Sequence, residues 1–277
     1  MKISFKSSPS EQASLLAVPT NKKAKFGPIQ AGDILTCQKG NLMTSTGQRA
    51  LMRGSNLANS THVAVVKSVK KNRIVLLEAV NQKDRKGVYV TEYTPETFKK
   101  EFMGKNGVHV LRNDGLSETL CGTINEFAEV YGEHVKDEKP LSKYGVKHLA
   151  STTLKTAVDN ERGRKRTIHT YNEGKLMTSK GEIRTKSICS ELVAEIVKIS
   201  QIKTEAKKIK KEAKKEHREV VEVTSRVLKK LQSEGKVLNV SSEHVSVGRI
   251  EKELMKHGFN SISFSREGVY QPKKWSR

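Results

Sequence analysis

The stretch KSICSELVAEIV, residues 186–197, places a cysteine where a helix is expected to begin. Its apolar residues recur at spacings of three and four, which indicates a helix running forward from about Cys189, with Ser187 as the expected N-cap. A thiol at a helix start faces unpaired backbone N–H groups and the positive end of the helix dipole, and both favour the nucleophilic thiolate. The alternative is a structural cysteine packed in a core, because burial is the commonest fate of a free cysteine.

The composition is that of a folded protein with a strongly basic surface. The chain has 277 residues, which is enough for one large domain or two small ones, and 35% of them are hydrophobic. It carries 52 Lys and Arg against 30 Asp and Glu, a formal net charge of +22. Such a surface attracts polyanions, whether nucleic acid, anionic lipid headgroups or an acidic protein face, and the charge alone does not choose among them.

The cysteines do not form a metal or disulfide pattern. Cys37, Cys121 and Cys189 are odd in number and widely spaced, and the chain has no CxxC or HExxH sequence. We therefore expect no metal, no cofactor and a reducing compartment. The only apolar patch near the start, Leu15–Val18, is too short for a signal peptide. A cytoplasmic protein is expected, and export by a route without a signal peptide stays open.

Three regions are expected along the chain. Residues 1–28 are rich in Ser and Lys and are expected to be flexible, residues 29–200 to form the main folded unit, and residues 201–277 to form a basic helical extension. In the first half, Thr94 and Pro95 predict the N-cap and first residue of a short helix. Five strands are predicted there: Gly32–Cys37, His62–Val69, Arg73–Val80, Gly87–Tyr93 and Gly107–Asn113.

The second half has a helical period. A helix is predicted from Leu116 to Tyr131, and a long basic loop over residues 159–186. A single long helix is predicted from about Ile202 to Leu231. The remaining expectations are a strand near Val237–Val240, a helix near Glu243–His257, a strand near Ser261–Ser265, and buried side chains at Tyr144, Val146, Leu149, Leu154 and Val158.

A histidine and a carboxylate are predicted to meet on one face of the first hairpin. Side chains alternate along a strand, so His62 shares a face with Ala64 and Val66, and Glu78 shares a face with the apolar residues two and four positions before it. A turn centred on Lys70 would pair His62 with Glu78, and a register shifted by two would pair Ala64 with Glu78. Either register puts the carboxylate beside the imidazole, although each residue alone is more often structural than catalytic.

The order of these motifs resembles the circularly permuted papain-like enzymes. Gly-Asp-Ile (residues 32–34) is followed by a histidine heading an apolar strand (HVAVV, 62–66), a Glu-bearing strand (VLLEAV, 75–80), a Gly-Val strand, and Cys-Ser-Glu-Leu-Val (189–193). The histidine precedes the cysteine, as in the permuted NlpC-type group, which includes YiiX-like proteins and relatives of lecithin:retinol acyltransferase. The resemblance covers roughly residues 30–200.

The resemblance implies a fold and a chemistry. The fold would be α+β, with an antiparallel sheet or small barrel packed on the helix that carries the cysteine, and residues 29–200 would be the catalytic domain. Cys189 would be the nucleophile, His62 the base and Glu78 the group that orients it. The activity would be hydrolysis of an amide or (thio)ester in a peptide, lipid or acyl substrate through an acyl-enzyme. The alternative is transfer of an acyl group to a lysine or lipid acceptor, including by an exported effector.

A non-catalytic function is the other class considered. The net charge of +22 could serve nucleic-acid binding, but aromatic residues make up only 5% of the chain and no RRM, KH, zinc-finger or P-loop pattern is found. An anionic membrane surface is the second polyanion considered, and a plainly solvated charged face is the third interpretation. Six lysines are expected to face solvent and to form the polyanion-binding surface: Lys207, Lys208, Lys210, Lys211, Lys214 and Lys215.

Overall fold

The structure is a computed structural model that describes residues 29–37, 60–81, 85–103, 107–135, 143–144, 158–215, 222–264 and 270–271. The segment 1–28 that we expect to be flexible lies outside these residues. So do Val146, Leu149 and Leu154, and the side chain of Tyr144, for which burial is predicted.

Nine strands form in the part of the chain that is described. They are β1 Ile34–Cys37, β2 His62–Lys70, β3 Arg73–Asn81, β4 Lys86–Tyr93, β5 Val108–Arg112, β6 Lys143–Tyr144, β7 Lys186–Ser187, β8 Asn260–Phe264 and β9 Tyr270–Gln271. Seven of them form an antiparallel sheet in the order β4-β3-β2-β1-β5-β8-β9, and a separate parallel ladder joins β6 to β7. The five strands predicted in the first half are confirmed to within two residues at either end.

Helices complete an α+β fold. The predicted cap of the short helix after β4 is confirmed, because the Thr94 side chain accepts a hydrogen bond from the backbone N–H of Thr97. The helices are α1 Ser117–Val135, α2 Glu161–Glu173, α3 Cys189–Lys215, α4 Ser225–Ser233 and α5 Val247–Lys256, with shorter helical turns at Pro95–Thr97, Phe98–Phe102 and Ser242–His244.

The long loop predicted over residues 159–186 is wrong, because α2 forms inside it. The Asn160 side chain caps the start of α2 by accepting the Gly163 N–H over 2.9 Å, and Gly174 ends it in the left-handed conformation, with φ 64°. Hydrophobic periodicity does not reveal this helix, because its buried face is polar and includes Arg166 and Thr170. Val158, just before it, is 54% exposed, so its predicted burial is also wrong.

The helix predicted from Ile202 to Leu231 is wrong in its bounds. The helix that starts at Cys189 continues without a break to Lys215, and a separate helix, α4, begins after Thr224, whose side chain accepts the Val227 N–H. The boundary expected between residues 200 and 201 therefore falls inside α3. Beyond it, β8 pairs with β5, so residues of the expected extension build part of the same sheet.

The strand predicted near Val237–Val240 does not form. Val237, Leu238 and Val240 are nevertheless buried, which explains the apolar pattern. The Leu238 N–H donates a hydrogen bond to the side-chain oxygen of Gln201, in α3, over 2.9 Å. This N–H is therefore satisfied by a side chain and not by the backbone of a neighbouring strand. The predicted terminal helix and strand are found, as α5 and β8.

Both faces of the sheet are covered, and this positions α3. Val63 and Val65 of β2 pack in the cluster that contains the apolar side of α3, whereas Ala64 and Val66 pack on the other face, under Phe98 and its neighbours. Every residue of α3 from 189 to 202 is buried, so its first half is a central helix. None of the helices in the described ranges has the length and apolarity needed to cross a membrane.

Candidate active site

Cys189 is the first residue of α3, at its amino end. Ser187 is not the N-cap that the sequence predicts, because it lies in β7 and Ile188 is the residue that directly precedes the helix. Glu191 provides the local stabilisation instead: its Oε2 accepts the backbone N–H of Ile188 over 3.2 Å. This is the reciprocal half of a capping box, in which an acidic side chain three residues into the helix bonds back to the cap residue.

His62 and Glu78 meet in a buried hydrogen bond. Nε2 of His62 lies 2.7 Å from Oε2 of Glu78, and the Glu78 side chain is 0% exposed. The hairpin register pairs Ala64 with Glu78, which is the shifted alternative of the two predicted registers, and an irregularity between Val66 and Ser68 accommodates it. The prediction that the two side chains share a face of the sheet is confirmed.

The thiol of Cys189 meets the imidazole of His62 at the end of β2. Burial by itself would raise the pKa of this thiol, but a hydrogen bond with His62, the positive charge on that ring, and hydrogen bonds from the backbones of Val63 and Ser190 together lower it below the ordinary value. Nε2 of His62 is engaged by Glu78, so Nδ1 is the ring nitrogen available to the thiol. The three side chains therefore form one chain of contacts, Cys189–His62–Glu78.

Tyr93 is a fourth member of this group, and it is not predicted from the sequence. Its hydroxyl donates to Oε1 of Glu78 over 2.6 Å, and the side chain is buried. Burial, followed by the charge of Glu78, raises the pKa of Tyr93, so the phenol stays protonated and remains a donor. The alternation of β4 places Tyr93 on an inward face, but the sequence has no signal for its contact with a residue fifteen positions earlier.

Aromatic rings cover the imidazole on the face of the sheet that is opposite to α3. The ring of His62 lies edge-on to Phe102, with ring centroids 5.6 Å apart, and Phe102 stacks on Phe98 at 5.2 Å. Both phenylalanines belong to the short helical turn Phe98–Phe102 after β4. Because the thiol is only 2% exposed and Glu78 is fully buried, the charges of the site act in a weakly polar environment, where they interact more strongly than in water.

A network of buried charges fixes the segment that leads into Cys189. Arg184 contacts Glu191 at 2.5 Å and Glu243 at 3.6 Å, and Arg166 contacts Glu243 at 2.8 Å and Glu195 at 3.2 Å. Glu191 and Glu195 lie one turn apart on α3, so the network ties the helix to α2 and to the turn before α5. Burial raises the pKa of Glu191 to about 7, in spite of the opposing charge of Arg184.

The other cysteines are placed differently. Cys37 is buried at the end of β1, where its Cα is the register partner of His62, and it is not the first residue of any helix in the described part of the chain. Burial raises the pKa of the Cys121 thiol, despite a hydrogen bond with Ser117. Within the described ranges, no three His, Cys, Asp or Glu side chains converge as a metal site would require.

The six lysines predicted to face solvent all do so. They lie in the last three turns of α3 and are exposed, whereas Ile202 and Ala213 of the same helix are buried. Val223 and Val227 are partly buried against the cluster that contains Ile202, Leu228 and Leu231. The basic segment is therefore anchored by its apolar side, and its lysine side is turned outward.

Comparison of the chain with protein-family models, with curated proteins and with solved structures finds no match in any of the three.

Proposed function

We propose that this protein is a cysteine-dependent hydrolase of the permuted papain-like type, which cleaves an amide or (thio)ester bond through an acyl-enzyme. The observation that carries the proposal is the buried contact of His62 with both Cys189 and Glu78, at the start of a central helix. A nucleophile, a base and a group that orients the base are what covalent catalysis by a thiol needs. The order of His before Cys, and the packing of the Cys helix against an antiparallel sheet, support the permuted fold.

In the first half of the reaction, Nδ1 of His62 takes the thiol proton and the thiolate attacks the carbonyl carbon. A C–S bond forms, and negative charge develops on the carbonyl oxygen. The backbone N–H of Cys189, at the first position of α3, stabilises that charge, because the first N–H groups of a helix have no acceptor within it. The imidazolium then gives its proton to the leaving amine, alcohol or thiol as the bond to the carbonyl carbon breaks.

In the second half, water replaces the leaving group. His62 removes a proton from the water, the resulting hydroxide attacks the thioester carbon, and the C–S bond breaks to release the acid. The proton returns from His62 to the Cys189 sulfur. Glu78 keeps the ring in the orientation that presents Nδ1 to the sulfur and stabilises the imidazolium formed in each half.

The test is to identify the group that Cys189 acquires. The intact protein is exposed to a panel of acyl-thioesters and to a cell extract, and the mass added to the Cys189 peptide is measured. We expect an acyl adduct that forms in wild type and in Cys121→Ala, disappears in Cys189→Ala, and decays with release of the free acid. No adduct under any of these conditions would overturn the proposal.

Acyl transfer is the other outcome that this experiment distinguishes. Members of the resembled group carry out both reactions, and the difference lies in what clears the acyl-enzyme. If the adduct is stable in water but is cleared when a lysine-containing peptide or a lipid amine is added, with the acyl group recovered on the amine, the protein is a transferase and not a hydrolase.

A further inference from the structure

One side of the last turns of α3 is a strongly charged surface that the proposed hydrolase does not use. We define the lysine face as Lys207, Lys208, Lys210, Lys211, Lys214 and Lys215, all exposed. An α-helix turns by about 100° per residue, so these six side chains fall within an arc of about 160°. Lys207, Lys211 and Lys214 form its central row, at spacings of four and three. The face is therefore compact and about two turns long.

Among the residues that the structure describes, acidic side chains do not neutralise the lysine face. Glu205 pairs with Lys208 at 2.6 Å, and Glu212 is the one carboxylate within the segment 207–215. Both glutamates interact with the charge of Lys236, on the neighbouring turn after α4, so they lie toward the flank of the helix. The central row faces solvent without an ion pair to a described residue. Like charges so close together repel one another, and an opposing anionic surface would relieve that repulsion.

The opposite side of this helical segment is already occupied. Ile202 is fully buried and packs in a cluster with Leu228, Leu231 and Val237, and Ala213 is buried further along. The segment therefore has no exposed apolar stripe to insert into a bilayer or a partner's groove. Any partner of the lysine face must be held by charge alone.

We propose that the lysine face binds an anionic membrane surface electrostatically and holds the protein against it. Every basic residue of α3 is a lysine, whereas arginine is the residue suited to the bidentate phosphate and base contacts of nucleic-acid recognition. Lysine is a mobile point charge, suited to a fluid layer of headgroups with no fixed geometry. Clusters of four to eight Lys or Arg on an amphipathic helix are typical of binding to anionic lipid.

The lysine face is too far from Cys189 to take part in a reaction at the thiol. Both lie on one continuous helix, and 18 to 26 residues at about 1.5 Å each separate the thiol from the face by about 27 to 39 Å. An anion held by the lysines is thus beyond contact with the thiol. The face localises the whole protein, and the inference stands whether or not Cys189 is catalytic.

The test is sedimentation of the full chain with vesicles of phosphatidylcholine, with and without phosphatidylserine. A lysine near an anionic surface contributes about 1 kcal/mol, equal to about fivefold in affinity, so loss of the three central lysines should weaken binding about a hundredfold. We expect at least this loss when all six lysines become Gln. We also expect binding of wild type to require phosphatidylserine and to fall steeply as salt is raised.

A matched variant separates the lysine face from the overall charge of +22. Changing six other exposed lysines to Gln removes the same charge elsewhere: Lys70, Lys71, Lys86, Lys99, Lys100 and Lys180. This variant should bind vesicles nearly as well as wild type. Equal losses in the two variants, binding that does not need phosphatidylserine, or no vesicle binding at low salt while duplex DNA is retained would each overturn the proposal. Cys189→Ala should sediment like wild type, so this result is independent of catalysis.

Discussion

The hydroxyl of Tyr93 donates a hydrogen bond of 2.6 Å to Glu78, and both side chains are buried. The other oxygen of the same carboxylate lies 2.7 Å from Nε2 of His62. A buried carboxylate that meets a donor at each oxygen is held in one orientation, and the ring that depends on it is held as well. We therefore regard Tyr93 as a positioning residue for the imidazole.

Removing the Tyr93 hydroxyl tests this role. Tyr93→Phe should reduce the alkylation rate of Cys189 at neutral pH and lower stability by about 1–3 kcal/mol, because Glu78 loses a buried hydrogen bond. The matched control is Tyr131→Phe, which removes a buried hydroxyl that accepts the Leu176 N–H over 3.1 Å. It should lower stability without changing the rate for Cys189. Equal effects of the two variants on that rate would show that Tyr93 is only structural.

Cys189 should be the most reactive of the three thiols. Its pKa is lowered by His62 and by backbone hydrogen bonds, in spite of burial, so it holds more thiolate at neutral pH than an ordinary cysteine does. Iodoacetamide labelling as a function of pH, read by peptide mass, should give an apparent pKa below the free value of about 8.5. In His62→Ala that value should rise. If Cys37 or Cys121 is labelled first near neutral pH, the site assignment is wrong.

His62 and Glu78 should act as one unit. His62→Ala should reduce turnover by about 10²–10⁴-fold, the usual range for loss of a general base, while the circular dichroism spectrum stays that of wild type. Glu78→Gln keeps a hydrogen-bonding side chain and should leave partial activity. The double variant should be no worse than His62→Ala, because groups that act together give non-additive losses. Multiplicative losses would mean that the two residues work separately.

Glu191 should make stability depend on pH. Burial raises its pKa from an ordinary 4.5 to about 7, so between these pH values the folded state binds more protons than the unfolded state. Stability contributed by this group must then fall as pH rises from about 4.5 to 7, by an amount on the order of 3 kcal/mol. Urea unfolding at pH 5 and pH 8 should show a smaller difference for Glu191→Gln than for wild type. If the difference in unfolding free energy between pH 5 and pH 8 is the same in Glu191→Gln and in wild type, the pKa of Glu191 is not raised as stated.

Gly163 in α2 should not tolerate a side chain. A Cβ there would lie 2.0 Å from Oδ1 of Asp159, whose other oxygen is fixed by a buried ion pair with Lys198 at 2.7 Å. Gly163→Ala should therefore destabilise the protein, although alanine favours helices. At Gly122 in α1 nothing lies within 4 Å of the new Cβ, so Gly122→Ala should stabilise by about 0.5–1 kcal/mol. The midpoint of thermal unfolding is measured for both variants and for wild type. If Gly163→Ala leaves the midpoint unchanged, the steric clash with Asp159 does not occur.

The elements that could be predicted from the amino-acid sequence are those whose signal is local. The alternation and β-branched content of residues 62–80 predicted the hairpin, and Thr94 with Pro95 predicted the short helix after β4. Position within those elements was enough to place His62 and Glu78 on one face and a cysteine at a helix start. These predictions held because side-chain direction in a strand or helix follows from backbone period.

Features that depend on partners distant in the chain could not be predicted and are visible only in the folded protein. These features are the contact of Cys189 with His62, the hydrogen bond of Tyr93 with Glu78, and helix α2. The buried face of α2 consists of a glycine, Arg166 and two threonines, and it has no apolar stripe. A buried arginine is stable only where carboxylates meet it, and here they come from α3 and from the turn at residue 243. The hydrophobic periodicity of a sequence does not reveal such ion pairs, because their attraction acts only after folding has brought the charges together.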